Sequence, residues 1–232
     1  MSNELILALS LICIYAGVLV FYKFLGKTGL YAWTVIATVA ANIEALIMVR
    51  AFGMDQTLGN ILFASTFLVT DILSEVAGKN AANHAMKMGI FTNITFILIS
   101  QSWFLYTPSS TDWASPAIRD VFSNTPRLMI VGIVVYAIAQ GFDVWFYHYI
   151  WSRTSKYFGD SKRGLWIRNN GSTLLSQLLN TILFTLGAFV GIYDTATLIA
   201  IMGSSYVIFI VTSLIDTPVV YLARKLKVLE ES

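Results

Sequence analysis

Six ionisable side chains sit where an apolar chain should carry none: Glu44, Asp71, Glu75, Asp143, Arg168 and Asp216 lie within or at the ends of long apolar runs. Facing lipid at mid-bilayer, such a group costs about 2.5–3.5 kcal/mol on insertion scales. The set is therefore expected to face inward and line a cavity, where carboxylates and a guanidinium can bind a polar ligand or relay protons. Asp71 and Glu75 stand four residues apart, so they share one helical face about 6 Å apart. Two bare carboxylates at that spacing repel, and one tends to hold a proton unless a cation or a donor-rich ligand intervenes. Lys79, four residues beyond Glu75, offers the plainer reading of a neutralised interfacial acid. Asp71, Asp143 and Asp216 recur at intervals of 72 and 73 residues, the spacing of an internal repeat, although the residues between them match poorly.

Uncharged polar groups follow the same faces. Tyr136, Gln140, Asp143 and Tyr147 fall at i, i+4, i+7 and i+11, one narrow stripe of an otherwise apolar helix. Arg168, Ser172, Ser176 and Asn180 recur every four residues, with Asn169, Thr173 and Gln177 alongside, so half a helix circumference is polar over three turns. Asn42 adds an amide to the second apolar run. Trp145, Tyr147 and Trp166 are candidate stacking faces for a flat ligand, or equally members of an aromatic belt at headgroup depth. Asp216 precedes Pro218, whose missing N–H frees the Leu214 carbonyl and permits a kink. His84 and His148 fall beside loops and read as solvated side chains.

These groups must be positioned by membrane helices. In 232 residues the hydrophobic share is 56 % and the charged share only 12 %, too few charges to cover a soluble globule and too apolar for disorder. About 20 mostly apolar residues span the hydrocarbon core. The chain offers seven such stretches, at roughly 4–25, 30–50, 57–77, 86–107, 127–150, 168–191 and 195–223, with six as the lower count. The expected fold is an all-α polytopic membrane protein, residues 1–232 forming a single transmembrane domain. With the N-terminus outside and the C-terminus cytoplasmic, inner loops and tail collect every Lys and Arg except Arg50, Arg119 and Arg127, as the positive-inside bias requires. The long outer connection, 107–126, is either a lid or a solvated loop.

Several function classes fall away. Net charge is +2, with no arginine-rich or stacking patch, so no nucleic acid partner is expected. The single cysteine, Cys13, gives no disulfide, metal or redox pair. The first run is followed by Lys23 rather than a small-residue cleavage site, and it reads as a retained helix. No Walker loop, Gly-x-Ser-x-Gly elbow or His-Glu-x-x-His pair is present, so neither an ATPase nor a soluble enzyme is encoded, and no metal or cofactor is expected.

The run Ala41-Asn42, then Gly59-Asn60 through Thr70-Asp71-Ile-Leu-Ser-Glu75-Val-Ala-Gly78-Lys79, and Trp166-Ile-Arg168-Asn-Asn-Gly-Ser172-Thr-Leu-Leu-Ser176-Gln177-Leu-Leu-Asn180-Thr181 closely resembles the bacterial queuosine precursor transporter family, also called the vitamin uptake transporter family. The resemblance covers nearly the whole chain and departs at Ala77 and Asn180, where the family commonly has Tyr and Asp. It implies an importer of 7-deazaguanine bases such as 7-cyano-7-deazaguanine, its aminomethyl relative or queuine.

The residues fit that class on their own terms. A guanine-like edge presents an N1–H and an exocyclic amine that a carboxylate accepts in pairs, and a carbonyl to which arginine or an amide donates. Asn42, Asp71, Glu75, Gln140, Asp143, Arg168, Gln177 and Asn180 are the candidate binding set, in a cavity expected to run from midplane to the cytoplasmic side between spans two, three, five and six. Transport is expected to be secondary or facilitated, by a multi-pass protein of the cell membrane. A substrate-binding subunit of an ATP-driven complex and an intramembrane enzyme using Asp71 and Glu75 stay open as alternatives, and association of copies into a homo-oligomer is compatible with either.

Overall fold

The computed structural model describes residues 2–122 and 126–228. Helix α1 runs Asn3–Glu44, and 42 residues at 1.5 Å each would reach about 63 Å, twice the hydrocarbon thickness. It folds back instead. Gly26, at φ 55° and ψ −140°, takes a conformation open to glycine alone and divides α1 into two arms, 3–25 and 27–44. The arms pack antiparallel. Phe21 meets Trp33 edge-on at 5.3 Å, and Gly17 lies flat under Trp33, where a Cβ would come within 2.7 Å of the ring. Asn3 Nδ2 donates to the Arg50 carbonyl at 2.8 Å, so the chain has returned to its starting side by residue 50.

The second arm ends at Glu44, six residues before the boundary expected from hydropathy. Met48–Ala51 (β1) and Met54–Thr57 (β2) form an antiparallel hairpin in register Met48 with Thr57, closed by Phe52 and Gly53 at φ 53° and 73°. Both signs are positive, the turn that matches strand twist. Apolar Met48, Val49, Ala51 and Phe52 made this strand look like the end of a span.

Helix α2, Gly59–Ala77, is the most enclosed of the spanning helices. Gly78, at φ 83°, is the single residue between it and α3, Lys79–Ser102. A short 3-10 turn at Trp103–Leu105 leads to α4, Ser115–Phe122, followed by α5, Pro126–Phe158, α6, Leu165–Phe189, and α7, Thr195–Ala223. Asp194 caps α7 by accepting from the Thr197 amide at 2.9 Å, which holds its carboxyl below the usual range. Among the described residues six helices are long and apolar enough to cross a membrane, and one of them, α1, is folded into two arms. The protein is a multi-pass helical membrane protein. Pro218 lies inside α7 without ending it.

The crossings alternate between two ends. One end holds the N-terminus, the β-hairpin, α4 and the α6–α7 turn; we call it the hairpin end. The other holds the Gly26 turn, Gly78, the α5–α6 loop and the end of α7, and carries most of the Lys and Arg; we call it the basic end. Helix α4 packs through Phe122 on Phe96 and Trp103 rather than over the bundle.

Candidate functional site

Polar residues of six helices are stacked in three layers along the bundle axis. Nearest the hairpin end is a partly open cavity of about 110 Å³. The second arm of α1 supplies Thr38 and Asn42 to it, α2 supplies Asn60, Phe63 and Thr66, α3 Asn93, α5 Tyr136, α6 Asn180 and Thr181, and α7 Ser205 and Phe209. Its wall is aromatic: Phe63 lies 6.0 Å from Tyr136 and 6.2 Å from Phe209, centroid to centroid. Its polar groups are amides and hydroxyls without a charge among them. Asn42 donates to the Thr38 carbonyl at 2.7 Å and to Asn93 Oδ1. Thr38 Oγ1, Asn60 Nδ2, Tyr136 OH and Thr181 Oγ1 are buried with no well-formed hydrogen bond to protein. Buried polar atoms are normally paired, so such groups converging on one space are ready for a ligand. Gly89 on α3 admits the Tyr136 hydroxyl, since a Cβ there would collide with it.

Beneath the cavity, Gln140 spans α5 to α2: its Nε2 donates to Thr66 Oγ1 at 2.9 Å and its Oε1 accepts from Thr70 Oγ1 at 3.2 Å. Below it lie Asp71, Asp143 and Asp216, all at most 1 % exposed. Asp71 accepts from Thr173 at 3.1 Å and Asp143 from Ser176 at 2.9 Å. The three recurring aspartates, from α2, α5 and α7, therefore meet in one layer, each on a helix that ends at the basic end.

At the basic end an ionic cluster closes the bundle. Arg168, fully buried, sets Nε and Nη2 each 2.5 Å from Glu75 Oε1, and Nη1 donates to the Arg163 carbonyl at 2.9 Å. Its guanidinium lies 4.3 Å over the Trp151 ring. Tyr147 donates to Glu75 at 2.6 Å and Arg224 approaches its other oxygen at 3.6 Å.

This arrangement corrects several expectations. The cavity occupies the hairpin half rather than the basic half, and α3 and α7 line it along with the four expected spans. Of the candidate binding set, Asn42 and Asn180 line it, and Gln140 forms its floor through Thr66. Gln177 is buried one turn below Thr181, with neither amide atom bonded. Asp71 and Asp143 lie deeper. Glu75 and Arg168 are bound to each other, so neither is free to read a ligand here, and Arg168 with Arg224, not Lys79, neutralises Glu75. Trp145 and Trp166 are 51 % and 57 % exposed on the outside of the bundle, away from the cavity, because α5 and α6 turn their polar stripes inward and these rings lie off them. Tyr147 is buried, but its hydroxyl serves Glu75. His148 is half-buried, 3.2 Å from Ser74 Oγ and stacked on Trp151, rather than solvated. The connection 107–126 contributes nothing to the cavity among its described residues, so the lid expectation gains no support.

Sequence reasoning passed over Asn60, Asn93, Phe63 and Phe209. Asn93 carried a signal, a lone amide inside an apolar run; the phenylalanines carried none, being indistinguishable from lipid-facing rings.

Residues 57–223, which include all of the layered site except the second arm of α1 and the last contact of Arg224, match the family described as putative vitamin uptake transporter. A probable queuosine precursor transporter of Bacillus subtilis (strain 168) is 38 % identical over 209 residues, covering 90 % of this chain and 89 % of that protein. No solved structure matches.

Proposed function

This chain belongs to the putative vitamin uptake transporter family, and we propose that within it the chain imports queuosine precursors, 7-deazaguanine bases, across the cell membrane. The observation that carries this reading is the uncharged cavity: amides and hydroxyls, four of them with a polar atom that has no well-formed hydrogen bond to protein, set in an aromatic wall. A deazaguanine is flat and neutral, with donors and an acceptor on one edge. Amide side chains offer both roles at once, and Phe63 with Phe209 offers a face for stacking, worth about 1–3 kcal/mol per base. Neutral partners suit a neutral ligand, since a fixed charge would have to be desolvated at each binding event.

By the positive-inside bias the basic end lies in the cytoplasm, so the cavity faces outward and the Glu75–Arg168 cluster is the closed inner side. Transport then requires the hairpin end to close over the base and the ionic cluster to part. Each chain holds a complete cavity, so one copy is a transport unit.

Purified protein in liposomes tests this without any partner. Uptake of labelled 7-cyano-7-deazaguanine, competed by its aminomethyl relative and weakly by guanine, is expected. No uptake by the chain alone, with uptake restored by a co-purifying ATPase, would replace this reading with that of a subunit in an ATP-driven complex.

A further inference from the structure

Four stripes of side chains descend from the cavity toward the basic end. On α2 they pass Thr66, Thr70, Asp71 and Glu75; on α5 Tyr136, Gln140, Asp143 and Tyr147; on α6 Thr181, Gln177 and Thr173; on α7 Phe209, Thr212 and Asp216. The stripes bring three carboxylates into mutual electrostatic reach in the middle layer. The groups facing them are the Tyr15 hydroxyl from the first arm of α1, Glu75 from α2, and the hydroxyls of Ser172, Thr173 and Ser176 from α6. Tyr147 on α5 faces Glu75, and Arg168 is committed to the same Glu75.

A second observation is independent of the acids' number. Asp143 Oδ2, both oxygens of Asp216, both amide atoms of Gln177 and Asn169 Oδ1 are buried with no well-formed hydrogen bond to protein, the Tyr15 hydroxyl standing against Asp216 and the Ser172 and Thr173 hydroxyls against Asp143. Three bare carboxylates here would each cost several kcal/mol of desolvation with no counter-charge to offset it. Among the described residues, no three Asp, Glu, His or Cys side chains converge closely enough to hold a metal ion. Bound protons meet both conditions, since each removes one carboxylate's charge and gives an orphan oxygen a hydrogen to donate.

We propose that Asp71, Asp143 and Asp216 form a proton-binding site that couples uptake to the proton gradient, with Asp143 as the member that exchanges protons with the cavity. This rests on the import reading above. Asp143 lies next below Gln140 on the α5 stripe, one oxygen held by Ser176 and the other without a well-formed hydrogen bond. With the cavity facing outward, Asp143 Oδ2 takes a proton from a hydronium ion of the outer water, whose O–H bond breaks as the one to Oδ2 forms and which leaves as water. When the basic end opens, that bond breaks and the proton passes to cytoplasmic water. The base is neutral, so one positive charge enters with each.

The experiment uses purified full-length protein in liposomes, with 7-cyano-7-deazaguanine equal on both sides, the membrane potential clamped, and a pH-sensitive dye inside. An inward proton gradient is expected to drive accumulation of about tenfold per pH unit for one proton per base, and adding substrate outside to acidify the lumen. In Asp143→Asn, which keeps the shape of the protonated acid, the inward flux is expected to be the same with and without the gradient. Wild-type protein that only equilibrates the base, whatever the gradient, overturns the coupling and leaves import standing; so does accumulation driven by a sodium gradient, or gradient-stimulated flux in Asp143→Asn. If the variant fails to fold, lumen acidification by the wild type decides alone. Absence of any exchange by the wild type overturns the import reading, and this one with it.

Discussion

The two ends of the bundle are built from opposite chemistry. The hairpin half holds uncharged amides, hydroxyls and rings, several of them unpaired, around an open space. The basic half holds a carboxylate shared by two arginines and a tyrosine, packed shut. The contrast teaches that the paired charges of this protein pack the basic half shut, while the open space is lined by neutral groups, to which the proposed function assigns recognition. Strong charge-assisted bonds are hard to make and break for a passing ligand, and a paired charge inside a membrane is stable only when its partner is fixed.

The sharpest way to break the comparison is at the closed end. Glu75→Gln leaves the buried Arg168 guanidinium without its counter-charge, and removing one partner of a buried pair costs about 3–5 kcal/mol. Uptake is expected to fall below a tenth of wild type, together with a drop in thermal unfolding midpoint in detergent. A Glu75→Gln protein of normal stability and altered substrate affinity would move Glu75 from closure to recognition.

Arg168→Lys asks whether the closure needs geometry or only charge. Lysine cannot set two nitrogens on Glu75, reach the Arg163 carbonyl and cover Trp151 together. Several-fold slower uptake and a smaller loss of stability are expected; equal rates for the two proteins would reduce Arg168 to a bearer of topology.

At the open end the effects should appear in affinity instead. Phe63→Leu keeps an apolar wall but loses the flat face, and the concentration for half-maximal uptake is expected to rise about tenfold. Asn60→Ala or Asn180→Ala each removes one neutral hydrogen bond, about 0.5–1.5 kcal/mol, or roughly a two- to tenfold rise with unchanged unfolding midpoint. If these variants behave as wild type, the cavity is not where the base is read.

The smallest effects belong outside both regions. Trp145→Leu and Trp166→Leu, on the lipid-facing surface, are expected to leave uptake within about twofold. A strong loss at either would bring back the stacking role that its position in the sequence first offered.

The residue pattern alone determined that the chain is a multi-pass helical membrane protein of six or seven spans and which faces of α2, α5 and α6 turn inward, because hydrocarbon thickness sets span length and charge cost sets rotation. The family was legible too, in the Thr70–Lys79 and Trp166–Thr181 runs. Which polar group meets which was not. Glu75 finds Arg168 93 positions away, and Gln140 finds Thr66 across 74. Such pairings depend on the relative depth and tilt of helices, which periodicity does not encode. The β-hairpin escaped notice because a strand of apolar residues at a span end has the same hydropathy as the helix it follows. The location of the cavity depended on the same missing information. All four stripes run the length of the bundle, and only their packing decides where they part to leave a space and where Arg168, Tyr147 and Glu75 draw them shut.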